Sequence, residues 1–328
     1  MTLILDQAST DYVLQVTDRL VTQATSPFDP LANKNIVYCA RNALVTIGYT
    51  GFAFLGGIPT DQWLVEQLTG NAFDRDHRPP DFTMNRRAPW LDLGMSVRLL
   101  KERLDAAPAT GIPSMWAKQW VDQSFDLCIL GWQWKRGRAR PIIEALNKPR
   151  GSLAFSIERR PRYWYWERRT LNDGSLGIIK FSVRAAPREN ISRADLQDLV
   201  ARLQDGSYDA AETELVRTVR QVALHVPQVG PDCISILIAP PTIGQARVRF
   251  LPLNSHEAIL QTASQNRRLT VAYTPWFVGP NLIVAPSLLA GPAKTEFSLG
   301  PYQIHLEGVG DSGGLLALHF GQERPKAP

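Results

Sequence analysis

The chain opens on short apolar runs punctuated by polar residues. Thr2–Ala8 and Tyr12–Val16 read as two short β-strands, joined by a turn at Ser9-Thr10-Asp11. Asn35–Cys39 and Ala43–Ile47 form a second such pair around Ala40-Arg41-Asn42. The pattern then turns helical. Thr60-Asp61 is read as the cap of a helix to Leu68, with Trp63, Leu64 and Leu68 on one face. Leu91–Ala107 places Leu93, Val97, Leu100 and Leu104 at helical spacing. Between these helices, residues 70–90 are polar and proline-bearing. A third helix is expected from Ser114 to about Ser124, followed by a buried strand over Asp126–Trp134 and further strands to about Ala185. Helices are expected at 193–204 and 209–225, the second with Leu215, Val219 and Val222 inward. Ser192 suits the N-cap of the first, with Asp195 three residues on. The apolar run Cys233–Ala239 reads as a strand. From about Gln245 the pattern breaks into short strands separated by Pro and Gly: Ala246–Pro252, Thr270–Tyr273, Pro301–Gly308 and Gly314–His319, with a loose tail at Arg324–Pro328. Tyr273–Phe277 and Asn281–Pro286 form an apolar patch suited to core packing or to a subunit contact.

Composition adds exclusions. A chain of 328 residues that is 44% hydrophobic can bury a full core, yet no window approaches the roughly 18 uninterrupted apolar residues of a membrane span. No basic region followed by a long apolar run opens the chain, so no secretory leader is expected and a cytoplasmic location is. Cys39, Cys128 and Cys233 sit in strand-like apolar runs without metal spacing and read as core thiols of a reducing compartment. His77, His225, His256, His305 and His319 have no ligand spacing either, so neither a metal nor another cofactor is expected. The net charge of +5 raises nucleic acid as a partner. The densest basic run, Arg159–Arg169, interleaves arginine with Tyr163, Trp164, Tyr165 and Trp166. An outer strand pair or an oligomer interface accounts for it better than a nucleic-acid site, because no binding motif accompanies it.

The candidate chemistry starts at Thr2. A small second residue lets methionine aminopeptidase remove Met1, and a free N-terminal threonine carries a nucleophilic hydroxyl and its own base, the α-amine. That amine titrates near pH 7.7–8.0 when unperturbed, so it accepts a proton at about neutral pH. Asp18 follows Thr2 by sixteen residues, Lys34 follows Asp18 by sixteen, and Gly48 follows Lys34 by fourteen. Thr2 would then open the first strand, Asp18 end the second, Lys34 open the third, and Gly48 follow the fourth.

These residues carry a resemblance. Val13-Leu14-Gln15-Val16-Thr17-Asp18-Arg19-Leu20-Val21-Thr22, Lys34-Asn35-Ile36-Val37-Tyr38 and Val45-Thr46-Ile47-Gly48-Tyr49-Thr50-Gly51-Phe52-Ala53 resemble segments of the proteasome β-subunit family of N-terminal nucleophile (Ntn) hydrolases. The resemblance is strong over 2–68, fair over 125–134 and 209–240, and absent from 72–110 and 245–328. It implies an α+β fold, the four-layer αββα Ntn-hydrolase sandwich, here with a helical insertion at about 70–110. It also implies a core over 1–244 and a β-rich C-terminal extension over 245–328.

The same resemblance implies roles. Thr2 would be the nucleophile, its amine the base through a water, Lys34 a cation beside the hydroxyl, and Asp18 the holder of Lys34. The Gly48 N–H would donate to the oxyanion, a contribution of about 3–4 kcal/mol in the transition state. Val21, Ala32, Ile36, Thr46, Thr50 and Phe54 would line the substrate pocket, favouring medium-sized apolar side chains. The partners implied are a peptide or protein substrate and copies of the same chain in a ring or smaller closed assembly. The chain departs from the family at Leu20, usually arginine, and over His225–Asp232, where Val226 and Val229 stand for an acid and a serine while Gly230 is kept. Asp232 and His225 lie close enough in sequence to substitute, and Ser182 and Ser192 are candidates for a second supporting serine. Three readings follow: a threonine peptidase, a catalytically silent scaffold or binding subunit, and a small-molecule amidase.

Overall fold

A computed structural model describes residues 2–23, 26–29, 32–55, 57–73, 82–85, 90–110, 120–159, 164–170, 176–185, 199, 203, 207–251, 257–258, 269–286, 288–290 and 294–307. In chain order the strands begin with β1 (Leu3–Ala8), β2 (Val13–Asp18), β3 (Val21–Gln23), β4 (Ser26–Asp29), β5 (Asn35–Ala40), β6 (Ala43–Thr50), β7 (Phe54–Leu55) and β8 (Ile58–Pro59). Helix α1 (Thr60–Thr69), β9 (Phe82–Met84) and α2 (Leu93–Thr110) follow. Next come β10 (Phe125–Lys135), β11 (Arg138–Lys148), β12 (Ser156–Glu158), β13 (Trp164–Thr170) and β14 (Leu176–Ala185). Helix α3 (Tyr208–Ala223) leads to β15 (Cys233–Ile238), β16 (Gln245–Leu251), β17 (Glu257–Ala258), β18 (Leu269–Tyr273), β19 (Trp276–Val278) and β20 (Leu282–Val284). The last strands are β21 (Leu288–Ala290), β22 (Lys294–Leu299) and β23 (Tyr302–Glu307).

Two eight-stranded sheets dominate this mixed α+β chain. The first runs β13-β14-β1-β2-β15-β16-β23-β22, the second β12-β11-β10-β6-β5-β19-β20-β9. Their pairings are antiparallel except β16–β23 and β19–β5. The strands beyond residue 245 therefore add to both sheets: β16, β23 and β22 extend the first, and β19 and β20 continue the second next to β5.

Strand alternation sorts the apolar residues into three layers of core. Ile36, Tyr38, Val45 and Ile47 face Leu64 and Leu68 of α1 and Val97, Leu100 and Leu104 of α2. Val37, Leu44, Leu130, Ile234, Ile236 and Val248 meet between the two sheets. Leu3, Leu5, Leu14 and Val16 pack with Leu215, Val219 and Val222 of α3. The two hairpins and these three helices thus follow the hydrophobic pattern closely.

Differences are local. Helix α1 begins at Thr60, but the Thr60 hydroxyl bonds the Phe52 carbonyl at 2.8 Å and Pro59 stands at the cap position without a side-chain cap. Its C-terminal end closes on Gly70 in the left-handed region, whose N–H reaches the Glu66 carbonyl. Helix α2 starts two residues later than expected because Asn42, in the β5–β6 turn, accepts the Leu93 N–H through its side chain at 2.9 Å. Residues 111–119, most of 193–204 and the strand expected at 314–319 lie outside the described residues. So does 160–163 of the arginine-aromatic run, whose remainder contributes β13 at one end of the first sheet.

Gly131 marks the tightest strand contact. A Cβ there would lie 2.1 Å from the Leu44 carbonyl oxygen and 2.6 Å from Val45 Cα, both backbone atoms that cannot swing aside. Gly131→Ala is expected to lower unfolding free energy by about 1–3 kcal/mol or more, read as a shifted urea midpoint. All three cysteines are buried, and burial pushes the Cys39 thiol up to about 12 and Cys233 higher still. Native protein at pH 8 should therefore give no reaction with a thiol reagent, and denatured protein should give three equivalents.

Candidate active site

The site is built around one carboxylate. Asp18, the last residue of β2, is fully buried and accepts from four donors. Its Oδ1 takes the Leu3 N–H at 2.7 Å. Its Oδ2 takes Lys34 Nζ at 2.8 Å and the N–H groups of Leu20 and Gly230 at 3.2 Å each. Lys34 is 2% exposed, so this is an ion pair inside the protein and not a solvated one. Taking both ions from water is expensive, and the three backbone donors offset part of that expense.

The Leu3 N–H belongs to the peptide group that Thr2 begins. Thr2 is therefore one peptide unit from Asp18, and it is 4% exposed. Leu3 and Leu5 point toward α3, whereas the Ile4 side chain lies 3.2 Å from where a Gly48 Cβ would be. By alternation Thr2 shares the Ile4 face, toward the second sheet. Met1 lies outside the described residues.

Gly48 differs from expectation. It is an interior residue of β6, in register with Asn35 on one side and Cys128 on the other. The Tyr49 N–H donates to the Lys34 carbonyl at 3.0 Å. Gly48 therefore lies within β6 and does not follow it. The site is crowded, since a Cβ would meet Gln15 Oε1 at 3.0 Å and Ile4 Cδ1 at 3.2 Å. The turn glycine is Gly51, with φ +113° and the Ser124 carbonyl 2.6 Å from its missing Cβ.

The pocket positions divide between two faces. Thr46 is the register partner of Val37 and faces the first sheet, where its hydroxyl bonds Gln15 Oε1 at 2.8 Å. Ile36, one residue away, faces α1 and α2 and shares no wall with Thr46. Thr50 is on the Thr46 face, buried, and its hydroxyl has no hydrogen-bond partner among the described residues. Ala32 is half-buried, Phe54 is half-exposed, and Val21 lies in β3.

The loop before β15 shows what the sequence left unassigned. Val226 and Val229 join the core under α3, as their apolar side chains require. Gly230 holds Asp18, and a Cβ on it would strike Leu20 Cβ at 2.7 Å. The Asp232 carbonyl accepts the Arg19 N–H at 3.0 Å, tying the loop to the residue after Asp18. His225 is exposed. Ser182 is the register partner of Asp6, and Ser192 lies outside the described residues. No group of three or more metal-ligating side chains occurs among the described residues, and no described helix is long and apolar enough to cross a membrane.

No protein-family model matches the chain, and no curated protein matches it in sequence. Among solved structures it is similar to Anbu (ancestral beta-subunit) from Yersinia bercovieri, at 10% identity over 73% of this chain and 82% of that one, with a TM-score of 0.43. It is also similar to an Anbu (Gly-1) mutant from Hyphomicrobium sp. strain MC1, at 10% identity over 77% and 88% of the two chains, with a TM-score of 0.45.

Replacing one partner of the buried pair leaves the other charge stranded. Lys34→Met should cost about 3–5 kcal/mol in urea unfolding. A loss below about 1 kcal/mol would place the pair with solvated surface bridges instead.

Proposed function

We propose that this chain is an N-terminal threonine hydrolase that cleaves amide bonds, with peptides as substrates. The observation that carries the reading is the Asp18 carboxylate, which holds both the peptide group following Thr2 and the Lys34 ammonium. We read the two sheets with α1 and α2 on one side and α3 on the other as the αββα arrangement that the sequence resemblance implies.

Removal of Met1 would free the Thr2 amine. That amine, through a water, takes the proton from the Thr2 hydroxyl as the oxygen attacks the amide carbonyl. Lys34 stabilises the negative charge that develops at the reacting oxygen, and Asp18 keeps Lys34 in place. The leaving amine takes the proton, and water then hydrolyses the ester on Thr2. Val21, Ala32, Thr46, Thr50 and Phe54 would line the substrate pocket, and Ile36, which faces the helices, would lie outside it.

A second reading, a catalytically silent scaffold or binding subunit, draws on Gly48. Gly48 lies within β6, in register with both Asn35 and Cys128, where the sequence resemblance implies a residue beyond the strand end. The burial of Val226 and Val229 points the same way.

A threonine-directed β-lactone tests the proposal. Intact mass should show one adduct on the wild-type protein and none on Thr2→Ala. An adduct that persists in Thr2→Ala would refute Thr2 as the nucleophile. A wild-type protein that lacks Met1 yet stays unlabelled would favour the silent subunit.

A further inference from the structure

Beside the ion pair lies a second set of buried polar contacts between the sheets. The Thr17 hydroxyl donates to Asn35 Oδ1 at 2.5 Å, and Asn35 Nδ2 donates to Gln15 Oε1 at 2.5 Å. Gln15 Nε2 in turn donates to Asp6 Oδ1 at 2.7 Å. Thr46 adds its hydroxyl to Gln15 Oε1. All five residues are fully buried. Asp6, Gln15 and Thr17 come from the first sheet, Asn35 and Thr46 from the second.

With Asp6 ionised, its carboxylate sets the direction of the whole chain. A carboxylate only accepts, so Gln15 must turn its NH₂ to Asp6 and its oxygen to Asn35. Asn35 must then present its NH₂ to Gln15 and its oxygen to Thr17, which must give up its one proton. No amide can flip without setting two acceptors face to face in a buried site. Position links this chain to the ion pair. Thr17 precedes Asp18 and Asn35 follows Lys34, so Thr17–Asn35 and Asp18–Lys34 are adjacent rungs between the same two strand segments. Gln15 also fills the space left by the absent side chain of Gly48.

We propose that Asp6, Gln15, Asn35 and Thr17 are positioning residues, a direction-locked clamp that sets the sheet separation at Thr2 and holds Lys34 where it acts. The kinetic half of this proposal rests on the function proposed above; the structural half does not.

The test reverses one hydrogen bond. Gln15→Glu sets a second carboxylate against Asp6 and should shift the folding constant at pH 8 by roughly 100-fold toward the unfolded state. Adding Asp6→Asn lets the amide introduced at position 6 donate to the carboxylate introduced at position 15. The double variant should regain most of the lost urea midpoint. Its β-lactone labelling rate at saturating probe should return toward wild type from a roughly tenfold deficit in Gln15→Glu, with the half-saturating probe concentration unchanged throughout. A double variant no more stable than Gln15→Glu would overturn the clamp. Equal saturating rates in all three proteins would overturn its positioning role. Absence of labelling in the wild type would defeat the proposed function, and stability rescue alone would then decide the clamp.

Discussion

A single buried carboxylate holds one end of this molecule together. Asp18 binds the start of β1, the chain leaving β2, the loop before β15 and a lysine of the opposite sheet. A buried ion is tolerable only when every partner is in place, so these four segments cannot move independently. Placement of Thr2 follows. The residue is fixed by the peptide group it begins, before any contact of its own side chain is considered.

The same end shows how glycine and polar residues divide the labour of packing two sheets. Gly48 lets the sheets approach where Gln15 stands, and Gln15 passes its hydrogen bonds to both sides. Gly230 lets the loop lie against Leu20 so that its N–H reaches Asp18. Neither glycine needs a left-handed backbone; each is small because something else must come close.

Much of this was legible in the sequence. The hairpins Leu3–Asp18 and Asn35–Thr50 and the buried strand β10 follow from short apolar runs bounded by turn residues, and helices α1, α2 and α3 from helical spacing of apolar residues. The pairing of Asp18 with Lys34 follows from the resemblance, because nothing local in either residue announces its partner. What could not be read were contacts between sheets. Asp6, Gln15, Thr17 and Asn35 are polar residues of short strands, and such residues ordinarily face water. Only the packing of a second sheet over that face turns them into a buried chain. Strand ends were similarly hidden. Gly48 reads as a terminator, yet β6 continues two residues further because β10 offers register partners as far as Asp126. The short strands after residue 245 read as an extension, and their partners in both sheets are too distant in sequence for a local pattern to reveal.

The chemistry assigned to this site needs an unblocked amine on Thr2, and the intact mass of the purified protein measures that state most directly. The account predicts a mass lower than the full chain by one methionine residue, with threonine as the first residue on sequencing. A protein that keeps Met1 has no free amine beside the Asp18–Lys34 pair, and that result would contradict the account.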